Sequence, residues 1–189
     1  MNAIAEKLSP SATDMIRRDH SKVLAAFHRY DAAAKPEARQ ALVNTLCLAL
    51  EVHAQIEEEI FYPAMRGTEP QAVDKSIPEH DEMRRLMGEL RSMDPSSADY
   101  GPRFMALMRT VIHHVADEET TLLPQAERML AGRLGELGGQ MLRRRLQLMA
   151  PRAGELARNS ARAMSKNTLL MGAGALLAGL FVLRRVRKL

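Results

Sequence analysis

The sequence predicts an all-α fold, an up-down-up-down four-helix bundle over residues 12–130, and three observations predict it. The composition is rich in Ala, Leu, Met, Glu and Arg, has no Trp, and lacks the Val/Ile/Thr alternation that marks strands. Four long stretches carry apolar residues three and four apart, and short connections join them, which favours antiparallel neighbours. The four stretches also fall into two similar pairs. At 189 residues the chain can build one domain with a core and still carry an appendage.

The first helix is expected from the N-caps Thr13–Asp14 to Ala34, where Lys35–Pro36 breaks it. The second follows Pro36 and runs from Glu37 to Met65, with Gly67 just past its end. The third is expected to start near Ser76, with Ser76 and Glu79 forming a capping box around Pro78 and a separate short turn at Pro70–Val73 before it. It ends by Met93–Asp94–Pro95. Ser96, Ser97 and Gly101–Pro102 are loop residues, and the fourth helix runs from Pro102 to Leu130.

Beyond Leu130 the composition changes. Residues 131–166 form a basic amphipathic linker or helix, loosened by Gly132, Gly135, Gly138 and Gly139 and broken by Pro151. Residues 168–183, TLLMGAGALLAGLFVL, carry no charge and end in RRVRKL. That run is short of the ~20 apolar residues of a full span, but its basic flanks can snorkel to headgroups, and Gly174/Ala178 and Ala175/Gly179 have the small-xxx-small spacing of closely packed membrane helices. A membrane anchor is therefore expected over residues 167–189, with a homodimer through the small residues as an option. The N-terminus shows no apolar signal segment, so the bundle is expected on the cytoplasmic side.

Charge is divided sharply. Residues 1–130 carry 15 Lys and Arg against 21 Asp and Glu, a net of −6, whereas residues 131–189 carry 12 against 2, a net of +10. An acidic body is a poor phosphate binder, so no nucleic-acid partner is expected, and the basic stretch is expected on anionic lipid. The single cysteine, Cys47, lies between leucines and reads as a buried small hydrophobe, which excludes an internal disulfide and a thiolate metal cluster. The methionines read as core filler.

The paired stretches carry the chemistry. The first helix holds Asp19–His20 and the third Glu79–His80; the second holds VHAQIEEEIFYP (52–63) and the fourth HHVADEETTLLP (113–124). His53 thus matches His114, Glu57 matches Glu118, and Pro63 matches Pro124. Helical spacing puts His53 and Glu57 on one stripe with Leu46, Ile56 and Ile60, and His114 and Glu118 on one with Val111, Val115 and Leu122. His20 shares a face with Ile16, Val23 and Leu24, and His80 with Ile77, Met83 and Met87. One such His–Glu pair could be a plain hydrogen bond inside the bundle. Four imidazoles and two carboxylates in one core must pair, protonate or bind a cation. Imidazole with carboxylate and no thiolate suits iron, with manganese second. His113 and His28 are expected at the surface or beside the site, and Glu58, Glu59 and Glu119 are expected to face outward.

In these motifs the chain resembles the hemerythrin-like family, in particular the HHE cation-binding domains, over residues 12–130. The resemblance rests on DH at 19–20, HxxxEE at 53–58, EH at 79–80, HxxxEE at 114–119, and the prolines at 63 and 124. It implies a non-haem di-iron centre with Glu57 and Glu118 as bridging carboxylates and His20, His53, His80 and His114 as terminal ligands. It also implies binding or sensing of oxygen, nitric oxide or iron. Where oxygen-carrying members have a fifth histidine, one turn after His80, this chain has Arg84, which cannot ligate. Glu58 is the expected substitute. An open position would also allow a peroxide-consuming enzyme, and the remaining alternative is a metal-free helical adaptor at the membrane.

Overall fold

A computed structural model describes residues 10–163, and among these residues the chain is helical without strands. Helix α1 is Ala12–Phe27; α2 runs Pro36–Ile56, through a π turn at Glu57–Phe61, to Tyr62–Met65; α3 is Pro70–Ser92. Helix α4 runs Tyr100–Asp117, through a π turn at Glu118–Leu122, to Leu123–Met129; α5 is Leu134–Met149, and α6 is Ala153–Ala163. Each of α1 to α4 packs on two neighbours, closing the four-helix ring.

Ser11 caps α1, its Oγ accepting from the Asp14 amide at 3.1 Å. The helix stops at Phe27 rather than Ala34. There the amides of Arg29 and Tyr30 turn back to Ala26 and Phe27, and Asp31 Oδ1 takes the Ala33 amide at 2.8 Å, local bonds that compete with a helical ladder. Helix α3 corrects the expected start at Ser76. It begins at Pro70 and carries Pro78 in its interior, and Ser76 Oγ donates to the Ala72 carbonyl at 3.1 Å instead of capping.

Both π turns begin on a glutamate of the repeated motif. The Tyr62 amide reaches Glu57 O and the Leu123 amide reaches Glu118 O. In an α turn Pro63 and Pro124 would press on the carbonyls four residues back, and the wider turn relieves that contact.

The core lies in two apolar layers along the bundle. One gathers Val23, Leu46, Leu50, Met83, Met87, Leu90, Phe104 and Val111; the other gathers Ile16, Ile56, Phe61, Met65, Leu122 and Leu137. The His/Glu residues lie between them in sequence on every helix. Cys47 is fully buried, and burial pushes its thiol up to about 12, so it serves as packing.

The acidic and basic halves meet. Arg144 binds Glu59, Arg145 binds Asp19, and Arg152 binds Glu51 at 3.0 Å. Three arginines of the stretch expected on anionic lipid thus face the bundle. Gly138 lets α5 cross the start of α1, since a Cβ there would collide with the Pro10 carbonyl. No described helix is long and apolar enough to cross a membrane; the apolar run 168–183 lies outside the described residues.

Candidate metal centre

All six expected residues come together. His20, His53, Glu57, His80, His114 and Glu118, drawn from all four helices, are each at most 4 % exposed. Glu57 Oε2 lies 3.2 Å from His53 Nε2 and 3.4 Å from His80 Nε2. Glu118 Oε2 lies 3.2 Å from His20 Nε2 and 3.6 Å from His114 Nε2. Each carboxylate thus serves imidazoles from two helices. Two overlapping groups of donors, His20/His53/His114/Glu118 and His53/Glu57/His80/His114, lie within 4.8 Å of one another and could each hold a metal ion.

The outward nitrogens are ordered as well. His20 Nδ1 meets Glu119 at 2.9 Å, His80 Nδ1 meets Glu58 at 2.8 Å, His114 Nδ1 meets Glu79 at 3.0 Å, and His53 Nδ1 faces Asp19 at 3.8 Å. The pattern runs round the bundle: α2 supports α3, α3 supports α4 and α4 supports α1 by hydrogen bonds, while Asp19 of α1 faces His53 of α2 beyond hydrogen-bond reach. A carboxylate on Nδ1–H leaves the Nε2 lone pair facing inward, the arrangement that ligating histidines need. Glu58 and Glu119, expected to point outward, are therefore part of the centre. The signal was in the sequence: every ligand candidate on α1 and α3 follows an acid, and both glutamates on α2 and α4 precede one.

Glu58 does not replace a fifth histidine. It is held on the outer side of His80, where Arg84 Nη2 binds both its oxygens at 2.7 Å. The added group on the inner side is Tyr62, which was not anticipated. Its hydroxyl donates to Glu118 Oε1 at 2.9 Å and lies 3.3 Å from His80 Nε2. The only hint was an asymmetry in the repeat, Tyr62 opposite Leu123. His113 and His28 are exposed, as expected.

The inner atoms are unfinished as a protein-only cluster. Both Glu57 oxygens, Glu118 Oε2 and His20 Nε2 are buried without a hydrogen-bond partner, and the Nε2 atoms of His80 and His114 face each other at 3.2 Å. With Nδ1–H given to carboxylates, those two lone pairs repel unless a proton or a cation lies between them. Burial and then the Glu118 charge push the Glu57 carboxyl well up. Burial would raise Glu118 too, but His114, His20 and His53 hold it down at about 2. Burial would lower His20, yet Glu118, Glu57 and Glu119 hold it at about 9, whereas burial keeps His53 down at about 4. A divalent cation removes these conflicts together, and the residues fit one.

The description "Hemerythrin HHE cation binding domain" matches residues 11–126, more than half of the chain. The chain belongs to the hemerythrin HHE cation-binding domain family. Among its relatives is the uncharacterized protein Rv2633c of Mycobacterium tuberculosis, 30 % identical over 146 residues, which are 73 % of this chain and 87 % of that protein. A DNA nickase of Nostoc sp. is 30 % identical over 119 residues, 62 % of this chain but only 34 % of the nickase, so the chain spans about a third of that protein's length. In fold, this hemerythrin domain is similar to the crystal structure of an HHE cation-binding domain-containing protein from Mycobacterium kansasii, with a TM-score of 0.66 at 19 % identity, covering 82 % of this chain and 99 % of that one.

Proposed function

We propose that the chain is a non-haem di-iron protein of hemerythrin type that binds or senses oxygen, nitric oxide or iron. In that reading Glu57, Glu118, His20, His53, His80 and His114 would hold the metal. The observation that carries this reading is the set of four imidazoles around two buried glutamates with unpartnered oxygens, three of them hydrogen-bonded to a carboxylate at Nδ1 and the fourth, His53, facing Asp19 at 3.8 Å. A metal-free adaptor would have no use for such a set, because a buried unpaired carboxylate is costly.

Bound iron would supply a redox-active Lewis acid able to take a small ligand. The residues do the rest. The carboxylates of Glu58, Glu79 and Glu119 fix the tautomers and orientation of His80, His114 and His20, and Asp19 faces His53. Tyr62 holds Glu118 Oε1, and two apolar core layers flank the set. The Tyr62 hydroxyl also favours a second reading, a peroxide-consuming enzyme, because it places a proton donor beside the ligand set where Arg84 cannot ligate.

Metal analysis after iron-replete expression tests the centre: about two irons per chain supports it, and none refutes it. Anaerobic absorption spectra before and after oxygen, nitric oxide or peroxide then separate the two readings. A reversible oxygenated spectrum supports binding, and steady peroxide loss supports turnover. We further propose that residues 167–189 tether the bundle to a membrane from the cytoplasmic side and pair two copies. Deleting them should release the protein from the membrane fraction. The nicking named for the Nostoc relative is not carried over, since the bundle is acidic.

A further inference from the structure

Helix α5 lies outside the residues matched to the family, yet it reaches the centre. Arg145 Nη1 binds Asp19 Oδ1 at 3.0 Å and Nη2 binds Oδ2, and the same Asp19 faces His53 Nδ1. Beside this pair, α1, α2 and α5 enclose a groove of about 320 Å³ walled by Val23, Leu48, Ala49, Val52 and Met149. Deeper in, a second pocket of about 10 Å³ lies among His20, His53, His114, Leu50, Val111 and Val115, which is near the lower limit for one water-sized molecule. Asp19 and Val23 line both spaces and form the wall between them.

We propose that this groove is the access route for small uncharged ligands to the centre, with the Arg145–Asp19 pair as its latch. The walls are mostly apolar, and Asp19 is paired with Arg145; Lys22, exposed with its ammonium 3.9 Å from Asp19 Oδ1, and Thr45 are the other polar groups of the lining, so past them the route offers an ion little to bind. A groove that touches the ligand set directly, between α3 and α4, is of opposite character. It is lined by Lys75, Asp117 and Thr121 and floored by Glu118, which suits water and ions. Arg145 is a positioning residue: it acts on the centre through Asp19 and His53, not by touching a ligand.

The inference deepens the reading of an oxygen- or nitric-oxide-binding centre, and its first test does not depend on iron. In the metal-free full chain, methyl NMR under dissolved oxygen should show paramagnetic effects at Val23, Val111 and Val115 that exceed those at Val43, which is buried away from both spaces. Ala49→Phe, at an exposed position of the groove, should remove that excess, and Arg145→Ala should enlarge it. In the iron(II) protein, stopped-flow association of nitric oxide should slow about tenfold in Ala49→Phe, speed up in Arg145→Ala, and stay unchanged in Thr121→Phe, which fills the polar groove instead. Arg145→Lys should restore the wild-type rate. Equal oxygen effects in wild type and Ala49→Phe, or slowing by Thr121→Phe alone, would overturn the route. A protein that takes no iron but shows the oxygen effects keeps the route and loses the proposed centre.

Discussion

Withdrawing the metal should give the protein a stability that peaks on the acid side of neutrality, and the four central groups set its shape. His20, at about 9 when folded against an ordinary 6.5, contributes stability that is complete below pH 6.5 and is lost as pH rises to about 9. Glu57, raised from 4.5, acts in the same direction, losing its contribution as pH climbs above 4.5. His53, lowered from 6.5 to about 4, does the reverse: its contribution grows from pH 4 to 6.5. Glu118, lowered from 4.5 to about 2, contributes fully above pH 4.5 and less as pH falls toward 2. Between 4.5 and 6.5 the rise from His53 and the fall from Glu57 oppose each other, so the metal-free protein should show a plateau there and decline on both sides. At 1.36 kcal/mol per pH unit, His20 alone loses about 3 kcal/mol between pH 6.5 and 9, which is about 6–12 °C in Tm for a chain of this size. Thermal unfolding of chelated protein, followed by circular dichroism across pH 4 to 9, measures this. Reloading iron should abolish the alkaline decline, because the cation competes with protons for the same atoms. A metal-free Tm that is flat or rising from pH 6.5 to 9 would refute the reasoning.

Tyr62→Phe leaves Glu118 Oε1 without its donor, and the lost bond to a charged group, about 1.5–3 kcal/mol, should lower the metal-free Tm by roughly 3–12 °C. Glu57→Gln with Glu118→Gln should abolish metal binding in equilibrium dialysis and remove the alkaline decline of the metal-free protein, because the charges that hold His20 up are gone. Glu79→Gln and Glu119→Gln weaken the hold on the outward nitrogens of His114 and His20, and each should weaken metal affinity about 10- to 100-fold without removing a ligand. Gly138→Ala drives a Cβ into backbone at Pro10–Ala12 and should cost about 1–3 kcal/mol in urea unfolding, whereas Gly88→Ala, with open space around it, should not destabilise.

The sequence by itself determined the number and order of the bundle helices, the inward faces of α2 and α4, and the six residues that meet at the centre. It could do so because helical periodicity fixes which side chains share a face, and because a doubled HxxxEE with a histidine on each intervening helix leaves few other arrangements. Helix ends were legible only where a proline or a cap acts alone. Asp31 ended α1 early through its own turn, and Pro78 proved tolerable inside α3. Only the tertiary structure decided the partners across helices. No spacing along one chain says that Glu58 backs His80, that Glu119 backs His20, or that Tyr62 and not Glu58 stands beside the ligand set, because those distances depend on how the rods are rotated and staggered. The same holds for Arg145 on Asp19. The charge imbalance showed that an acidic body precedes a basic tail, but packing decided that part of the tail folds back onto the body, where opposite charges meet over the centre.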